Sequence, residues 1–573
     1  MRLLSLKKLS EELVAVIRRF PIALAFAVLG TLVAMWLIEG KEYFGSIYVP
    51  NIVTTSVLGF LLFVSIELYL ERNRKWALPI RLAAGFFLLI YFLLLPVSYG
   101  GEEFGQILRS LLYGLAFLLA LTFSPFTGEG EINGFWQHNK NLFVRFFSTA
   151  LYMAVLFFGL GLAVVSINEL FGVEMPHDIY FKLWVLIVGI LATSFFLAGI
   201  PTNLASLDKD RSYPRGIEVF SQYILLPLFT LYFFILYSYT AKILITGEWP
   251  QGVISTLILV FSLLGLFTHF LLYPLQNDKK HAWVTRVSKV IHLTIIPMIL
   301  VLFWAVWLRV SDYGITESRY YVIALGLWLM GISIYFSVSK AKNIKVITGS
   351  LFLVILLSSF GPWGALRISE VSQFARLSSI LTEQGLLVDG KIVADKKIIP
   401  GNTAGQVHNI MRYLEQYHGL SKVQPWFEDR KLDELCRKKA YCLSKELISQ
   451  DTFNSGGNRY EKYFQSAMKK GAAIEVAGYS YVVPTFQYWG YHKDEEYNVE
   501  GSLLIYEAEP WGRIEVDLSS FINGLEEDNG ALPMEQMIIE TERTKLILYS
   551  ISVKNLHGED QKVTQLTAAL LIR

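Results

Sequence analysis

Cysteine and charge are both scarce in this 573-residue sequence, and common signatures of soluble enzymes are missing. Cys436 and Cys442 are the only cysteines, so a scaffold held by several disulfides is excluded. Charged residues make up 17% of the chain, compared with about 25% in ordinary soluble domains. The motifs G-x-x-x-x-G-K-[ST], H-E-x-x-H, G-x-S-x-G and the dinucleotide fingerprint do not occur in the sequence, which argues against ATP-driven and zinc-protease activities. We therefore predict no cofactor and no bound metal.

The charged residues are distributed unevenly along the chain. Residues 1–364 hold 27 Lys and Arg and 20 Asp and Glu, whereas residues 365–573 hold 24 and 29. The first part is therefore typical of a lipid-embedded protein, and the second part of a water-soluble one. Neither part carries the concentrated basic patch of a nucleic-acid-binding protein, so no nucleic-acid partner is predicted.

Long apolar runs fill the first part of the chain. A helix needs about 20 mostly apolar residues to cross the hydrocarbon core of a membrane. A buried helix of a soluble protein would instead keep a polar face at a period of 3.6 residues. The sequence predicts about eleven transmembrane helices, followed by a soluble α+β domain. The apolar windows are residues 20–38, 52–70, 82–97, 106–123, 146–167, 183–200, 218–241, 253–272, 290–308, 320–338 and 346–362.

The first 19 residues form a separate pattern. Leucines at helical spacing, including Leu6, Leu9 and Leu13, alternate with Lys7, Lys8, Arg18 and Arg19. This pattern indicates a basic amphipathic helix over residues 1–19 that lies on anionic lipid headgroups. A solvated basic tail is the alternative interpretation.

Lysine and arginine predict how the chain threads the membrane, because these residues accumulate in cytoplasmic loops. With the N-terminus inside, the inner segments contain 21 Lys and Arg and the outer segments six. An odd number of spans then places residues 365–573 outside the cytoplasm. We predict a multi-pass protein of a bacterial inner membrane, in the orientation N-in/C-out, with residues 20–364 as the transmembrane bundle.

The region 365–573 shows shorter periodic segments that are typical of an α+β domain. Gly385–Ile399 alternates around Asp389-Gly390, a strong hairpin signal. Helices are predicted at Gln406–Tyr417 and Leu432–Ile448. Strands are predicted at Ala472–Val483, Ser502–Glu507, Arg513–Leu518, Leu546–Val553 and Val563–Ile572.

Cys436 and Cys442 lie in the second of those predicted helices. Six residues along an unbroken helix rise by about 9 Å, which is too far for a disulfide. Either the helix breaks between the two cysteines or they stay separate.

Several ionisable and polar side chains lie within or beside the predicted spans, where such groups are costly and mark candidate sites. Arg309, Asp312, Glu317 and Arg319 crowd one short outer loop. They either pair with each other to join two helix ends or bind an anionic headgroup or carboxylate. His177-Asp178, in another outer loop, is a weaker candidate for a general base. The intramembrane candidates are Glu67, Tyr232, His269 and His292.

Each intramembrane candidate has a structural interpretation beside the functional one. Glu67 either pairs with the cations of the Arg72–Lys75 loop or faces the bundle as a proton or substrate carboxylate. His269 and His292 are either hydrogen-bonded within the bundle or part of a proton relay. Tyr232, in the middle of a span, is expected to face a protein or cavity partner, because its hydroxyl needs a hydrogen bond.

Several segments together resemble a family of bacterial membrane proteins known as domain of unknown function 4153. The resemblance covers most of the chain and implies a polytopic membrane protein, without an assigned activity or catalytic residues. It is carried by Arg19-Phe20-Pro21, Tyr213, Tyr223–Pro227, Leu231-Tyr232, Tyr239–Lys242, Trp249-Pro250, Gly252, Tyr313–Tyr321, Gly361-Pro362-Trp363, Ser372-Gln373, Arg376-Leu377, Tyr413-Leu414, His418-Gly419-Leu420 and Gly478-Tyr479.

Three functions are compatible with these features. The first is a non-enzymatic envelope platform or sensor that displays residues 365–573 to an envelope protein partner, with membrane lipids around the bundle. The second is a transporter or lipid-handling protein, although no internal repeat supports it. The third is a transferase acting on a lipid-linked substrate, for which Glu39, Glu42, Glu102 and Glu103 would be the acidic residues; this interpretation rests on analogy.

Overall fold

The computed structural model consists of a helical unit and a unit rich in β-strands. It describes residues 6–39, 48–95, 103–173, 175–176, 178–247, 249, 253–277, 282–339, 343–393, 400–427, 463–468, 478–489, 497–508, 511–524, 531–554 and 562–573. The first compact unit comprises Met1–Asp395 and Gln406–Leu447, and the second comprises Lys396–Gly405 and Ile448–Arg573. Cys436 and Cys442, the predicted helix Leu432–Ile448 and His177 lie outside the described residues.

The helices of the first unit follow the apolar windows closely. In the described residues, ten helices are long and apolar enough to cross a membrane, and an eleventh apolar helix, Lys345–Ser358, has 14 residues. The predicted helical membrane bundle is confirmed at this level. The helices are α1 Leu6–Arg19, α2 Pro21–Ile38, α3 Val49–Leu70, α4 Ala77–Leu94, α5 Glu103–Phe123, α6 Ile132–Phe171, α7 Ile179–Ala198, α8 Arg215–Thr246, α9 Val253–Leu272, α10 Ala282–Tyr313, α11 Glu317–Val338, α12 Lys345–Ser358, α13 Ala365–Glu383 and α14 Gly401–His418.

Two of the spans contain a π-helical turn. These turns are Ile187–Ala192 in α7 and Phe220–Leu225 in α8. The second comes directly before Pro227, whose missing N–H removes one bond of the α-helical ladder. The wider turn absorbs that loss without ending the helix.

Small residues allow α2 and α3 to approach closely. A Cβ atom at Gly59 would lie 2.7 Å from the ring of Phe26, and one at Gly30 would lie 2.8 Å from Cβ of Ser56. Helices in lipid gain little from apolar burial against each other, so they depend on this kind of tight van der Waals packing.

Loops that join alternate helices meet at two ends of the bundle. The proximal end, where α1 lies, includes residues 70–77, 126–132, 198–215, 338–339 and 343–345. Arg19 of α1 joins two of these loop segments: its Nε lies 2.6 Å from Oε1 of Glu71, and the guanidinium also donates to the carbonyls of Ile200 and Pro201. The distal end is the opposite one, where α5 begins, α11 begins and α12 ends.

Helix α12 lies beside α5 along its length. At the proximal end, Lys345 donates to the carbonyls of Gly128 and Gly130, just beyond α5. At the distal end, Phe360 and Gly361 line a cavity together with Gly105 at the start of α5. The segment that contains α12 therefore extends from one end of the bundle to the other, although its regular helix is short.

A second ion pair at the proximal end gives a prediction about pH. Arg72 binds both oxygens of Glu131 at 2.7 Å, and their side chains are 24% and 30% exposed. The hydrogen bond from Arg72 is the main cause that lowers the pKa of Glu131 below its ordinary 4.5. The stabilisation is therefore complete above pH 4.5 and is lost as the pH falls through the lowered pKa.

We expect Glu131→Gln to reduce the free energy of unfolding by about 1 kcal/mol at neutral pH, the scale of a partly exposed pair. That difference from the wild type should shrink as the pH is lowered below 4.5. Unfolding in mixed detergent micelles at several pH values measures it. Glu129→Gln, two residues away on an exposed side chain, is the matched control. A difference that grows on acidification would contradict the assignment.

The C-terminal strands agree in large part with their predicted positions. The hairpin of β1 Leu387–Val388 and β2 Lys391–Ile392 turns at Asp389 and Gly390, both with positive φ (51° and 77°). Of the predicted strand Ala472–Val483, residues 472–477 lie outside the described residues, and the described strand here, β4, is Tyr481–Trp489. The remaining strands are β3 Tyr463–Met468, β5 Tyr497–Glu500, β6 Leu503–Ala508, β7 Gly512–Asp517, β8 Ala531–Leu532, β9 Ile538–Glu540, β10 Thr544–Lys554 and β11 Lys562–Ile572.

Two sheets share one core in the second unit. One has the order β4-β11-β10-β3-β8, with β9 also paired to β10, and the other has the order β5-β6-β7. Leu504 and Val516 from the small sheet and Leu546 and Leu566 from the large one belong to the same buried cluster. The short helix α15, Ser519–Asn523, follows the small sheet.

Candidate functional site at the distal end of the bundle

The break between α10 and α11 is held by side chains from α13. Gly314 has a φ of +69° and Thr316 is extended, so the chain turns sharply there. The amide of Gln373 donates to the carbonyls of Tyr313 and Ile315 at 2.9 and 3.0 Å. These bonds fix the first residue of α11, Glu317, against the helices that follow the spans.

Glu317 is a buried carboxylate with a donor from each of two other elements. Ser369 of α13 donates to Oε1 at 2.6 Å, and Nε2 of His418, the last residue of α14, lies 2.9 Å from the same oxygen. Tyr413 of α14 donates to Oε2. We call Glu317, Ser369, Tyr413 and His418 the Glu317 cluster. The side chains of Glu317 and His418 are only 8% and 6% exposed.

The Glu317 cluster keeps its carboxylate charged and its tyrosine protonated. Three donors compensate Glu317 for the water that it loses on burial. Burial, followed by the hydrogen bond to Glu317, raises the pKa of Tyr413 far above its ordinary value. The tyrosine hydroxyl is therefore a fixed donor at any physiological pH.

The arrangement differs from that of a Ser–His–acid triad. In a triad the serine bonds the histidine, which the acid orients from the other side. Here Ser369 and His418 both contact the same carboxylate oxygen, and Ser369 is fully buried. The geometry is that of a structural connection between α11, α13 and α14.

Three arginines lie near one another beside this cluster, and two of them face the ring of Tyr313. Arg319 and Arg376 lie 5.6 and 5.8 Å from the centre of the Tyr313 ring. Arg309 is close enough to Arg319 for their charges to repel. Arg319 also donates to the carbonyl of Gly314 at 2.6 Å. These arginines form an electropositive surface, of which the sequence analysis identified Arg309 and Arg319 as site residues but not Arg376.

The predicted loop site is therefore arranged differently from the expected mutual pairing. Within the described ranges, no ion pair joins Arg309, Asp312, Glu317 and Arg319 to each other. Glu317 turns into the Glu317 cluster, and Asp312 is exposed. Sequence reasoning missed Ser369, Tyr413 and His418 as its partners, because they follow it by 52 to 101 residues. Tyr413 and His418 had entered only through the family resemblance.

A cavity of about 290 Å³ opens next to the Glu317 cluster. It is lined by residues that begin α5, follow α12, begin α13 and end α14. Among the described residues, its ionisable lining comprises Arg109, Arg367, Glu370, Tyr417 and His418. Glu370 is held by Arg367 at 3.0 Å and by Lys422 at 2.6 Å.

The intramembrane candidates lie away from this cavity. Both oxygens of the buried Glu67 accept from Arg81 of α4, at 2.6 and 2.8 Å. The predicted partner, the Arg72–Lys75 loop, was wrong, because Arg72 binds Glu131 instead. Arg81 is one helix further along and points back to α3.

His269 and His292 lie in contact with each other. The sequence analysis considered each histidine separately and did not predict this contact. Their ring centres are 4.7 Å apart, and both rings contact Phe336. Both residues are at most 2% exposed. Among the described residues, no group of three or more His, Cys, Asp or Glu could hold a metal ion.

Tyr232 lies 37% exposed on α8. In the part of the chain that the structure describes, its hydroxyl has no hydrogen-bond partner, contrary to the expectation for a mid-span tyrosine. Tyr237 makes the interhelical bond instead, to the carbonyl of Thr294 at 2.8 Å. In the loop before α7, Asp178 binds Lys182 at 3.0 Å.

Comparison with known proteins places the chain in a family without a described activity. The family described as "Domain of unknown function (DUF4153)" matches residues 23–376. The chain is also similar to an uncharacterised protein of Pasteurella multocida (strain Pm70), PM1469, with 26% identity over 430 residues. That similarity covers 73% of this chain and 70% of the relative. No solved structure matches the chain.

Proposed function

The chain belongs to the family of domain of unknown function 4153, and from this premise we propose a non-enzymatic platform or sensor of the bacterial inner membrane. The bundle anchors the protein, and residues 365–573 lie outside the cytoplasm, where they bind an envelope partner. The observation that carries this proposal is the Glu317 cluster, which joins a span to the helices beyond it.

The position of the Glu317 cluster supports a connection rather than a reaction centre. Glu317 is the first residue of α11, whereas Ser369, Tyr413 and His418 belong to α13 and α14. All three donors converge on one carboxylate. A force or ligand acting on α13 or α14 is transmitted directly to the end of a span.

The course of α12 supports an odd number of crossings. The segment contacts both ends of α5, through Lys345 at one end and Gly361 at the other. Eleven crossings, together with the excess of lysine and arginine at the proximal end, support a distal end outside the cytoplasm.

The alternatives receive less support. A transport role would use Glu67 as an available carboxylate, yet both of its oxygens are bound by Arg81. The transferase interpretation depends on four acidic residues, of which Glu42 and Glu102 lie outside the described ranges. Glu39 lies 3.4 Å from Lys182 in an exposed pair.

Reporter fusions test the orientation. We expect alkaline phosphatase fused after Arg573 to be active and green fluorescent protein at the same point to be dark, because the former needs the oxidising compartment for its disulfides. Fusions after Lys280, between α9 and α10, are the matched controls and should give the reverse pattern. Fluorescence after Arg573 would contradict the proposal.

Complementation tests the connection itself. In a deletion strain, we expect increased uptake of a dye that the intact envelope excludes. The wild-type chain should restore exclusion, whereas Tyr413→Phe should restore less than half of it at equal membrane abundance, since it removes one donor to Glu317. Tyr152→Phe, on an exposed side chain of α6, should restore it fully. Equal restoration by both variants would argue against a signalling or scaffolding connection.

A further inference from the structure

We propose that the cavity beside the Glu317 cluster binds a phosphate-bearing anion, namely the headgroup of an anionic membrane lipid. The inference rests on the proposed function in one respect: it takes the distal end to lie at a membrane surface. Nothing in the family match assigns a ligand to this cavity. The cations of the cavity, its depth in the membrane and its contact with the Glu317 cluster favour such a ligand.

Arg109 carries the main chemical argument. It belongs to α5 and lines the cavity, and its Nε is buried. Within the described ranges that Nε has no hydrogen-bond acceptor. A buried donor without an acceptor costs about 1–3 kcal/mol. Arg109 itself lines the cavity, and guanidinium groups bind phosphate with paired, parallel hydrogen bonds, so we infer that an anion in the cavity binds this guanidinium.

The charge balance of the cavity favours an anion. Arg109 and Arg367 both line it, and Lys422 forms an ion pair with Glu370, another lining residue. Among the described lining residues, Glu370 is the only carboxylate, and it is already bound by Arg367 and Lys422 at 3.0 and 2.6 Å. Its charge is therefore compensated by two cations, and Arg109 adds a further positive charge.

The depth of the cavity matches the level of lipid headgroups. Gly105, Gln106 and Arg109 occupy the first two turns of α5, and Ser359–Gly361 directly follow α12. Apolar helices end where the hydrocarbon core gives way to the polar region of the bilayer. The volume of about 290 Å³ lies at the lower limit of ordinary ligand pockets and suits a headgroup rather than a whole lipid.

Through His418, the proposed ligand would act on the Glu317 cluster. It lines the cavity and lies 2.9 Å from Glu317. A ligand held by Arg109 and Arg367 would therefore contact a member of the Glu317 cluster. Occupation of the cavity would stabilise the attachment of α14 to α11.

The test uses the purified full chain in nanodiscs of phosphatidylcholine, with and without phosphatidylglycerol. We expect phosphatidylglycerol to raise the melting temperature of the wild type and to remain bound in native mass spectrometry. The variant Arg109→Gln with Arg367→Gln should bind about tenfold more weakly, equivalent to about 1.4 kcal/mol. Arg513→Gln, an exposed arginine of the second unit, is the matched control and should behave as the wild type.

A second arm identifies the source of the anion. Inorganic phosphate is added to the wild type in pure phosphatidylcholine nanodiscs. Stabilisation by phosphate alone, with no added effect of phosphatidylglycerol, would overturn a lipid ligand. An equal effect of phosphatidylglycerol on the double variant and the wild type, or no effect on either, would overturn the cavity as the site. Circular dichroism establishes that the variants fold. Because binding is measured on purified protein, a negative result leaves the reporter-fusion and complementation results unchanged.

Discussion

Replacement of Glu317 by alanine is expected to lower the free energy of unfolding of the first unit by about 3–5 kcal/mol, because three buried donors lose their common acceptor at about 1–3 kcal/mol each. The substitution leaves the hydroxyls of Ser369 and Tyr413 and Nε2 of His418 without their common partner. Titration with sodium dodecyl sulfate in mixed micelles, followed by tryptophan fluorescence, measures the loss.

Two further variants determine whether the loss is specific to the Glu317 cluster. Glu383→Ala removes an exposed carboxylate of α13 that bonds only Ser379 among the described residues, and it should change stability by less than about 0.5 kcal/mol. Tyr413→Phe should cost about 1–3 kcal/mol, because one oxygen of Glu317 then loses its donor. If Glu317→Ala were no more harmful than Glu383→Ala, the Glu317 cluster could not be the joint that we describe.

Much of the bundle could be predicted because lipid imposes a simple rule on the sequence. A span must be apolar over about 20 residues whatever it packs against, so each window corresponds to a helix. The window 346–362 is the instructive one: its regular helix ends at Ser358. The remaining residues adopt a turn with Gly361 at a φ of +80°. Hydropathy does not report where an apolar segment stops being helical.

The hairpin at Asp389-Gly390 was predictable for a different reason. Two consecutive positive φ angles favour aspartate or asparagine followed by glycine, and the structure has them at 51° and 77°. That information is local to the turn. The predicted strand stopped at Val483, whereas β4 continues to Trp489 and pairs with β11, 76 to 91 positions later. Pairing of that kind leaves no local signal.

The candidate site could not be predicted in full, because it depends on long-range contacts that hydropathy and charge spacing do not reveal. Glu317 was identified as costly at its position, which is a local property. Its partners come from a region that composition had assigned to a separate soluble domain. His269 and His292 show the same limit: each looked like a lone histidine near a span end, and only the packing of α9 against α10 brings their rings within 4.7 Å.

Substitutions in the Glu67–Arg81 ion pair are expected to cause the second large loss of stability. The loss should differ between the two residues, because their burial differs. The side chain of Glu67 is 7% exposed and that of Arg81 is 39% exposed. Arg81→Leu leaves a carboxylate buried in the bundle with no partner, so we expect a loss of about 3–5 kcal/mol. Glu67→Leu leaves Arg81 without its partner. Because Arg81 lies near the start of α4, it can extend its long side chain to the interface. We expect that variant to lose roughly half as much.

The double variant distinguishes an ion pair from two independent requirements. With Glu67→Leu and Arg81→Leu together, no charge remains buried, so the chain should be more stable than Arg81→Leu alone. Arg74→Leu, an exposed arginine in the turn between α3 and α4, controls for loss of positive charge at the proximal end. Detergent unfolding of all four variants gives the coupling energy directly. A double variant as unstable as the sum of both single variants would mean that Glu67 and Arg81 act separately, and Glu67 would again be available as an intramembrane carboxylate.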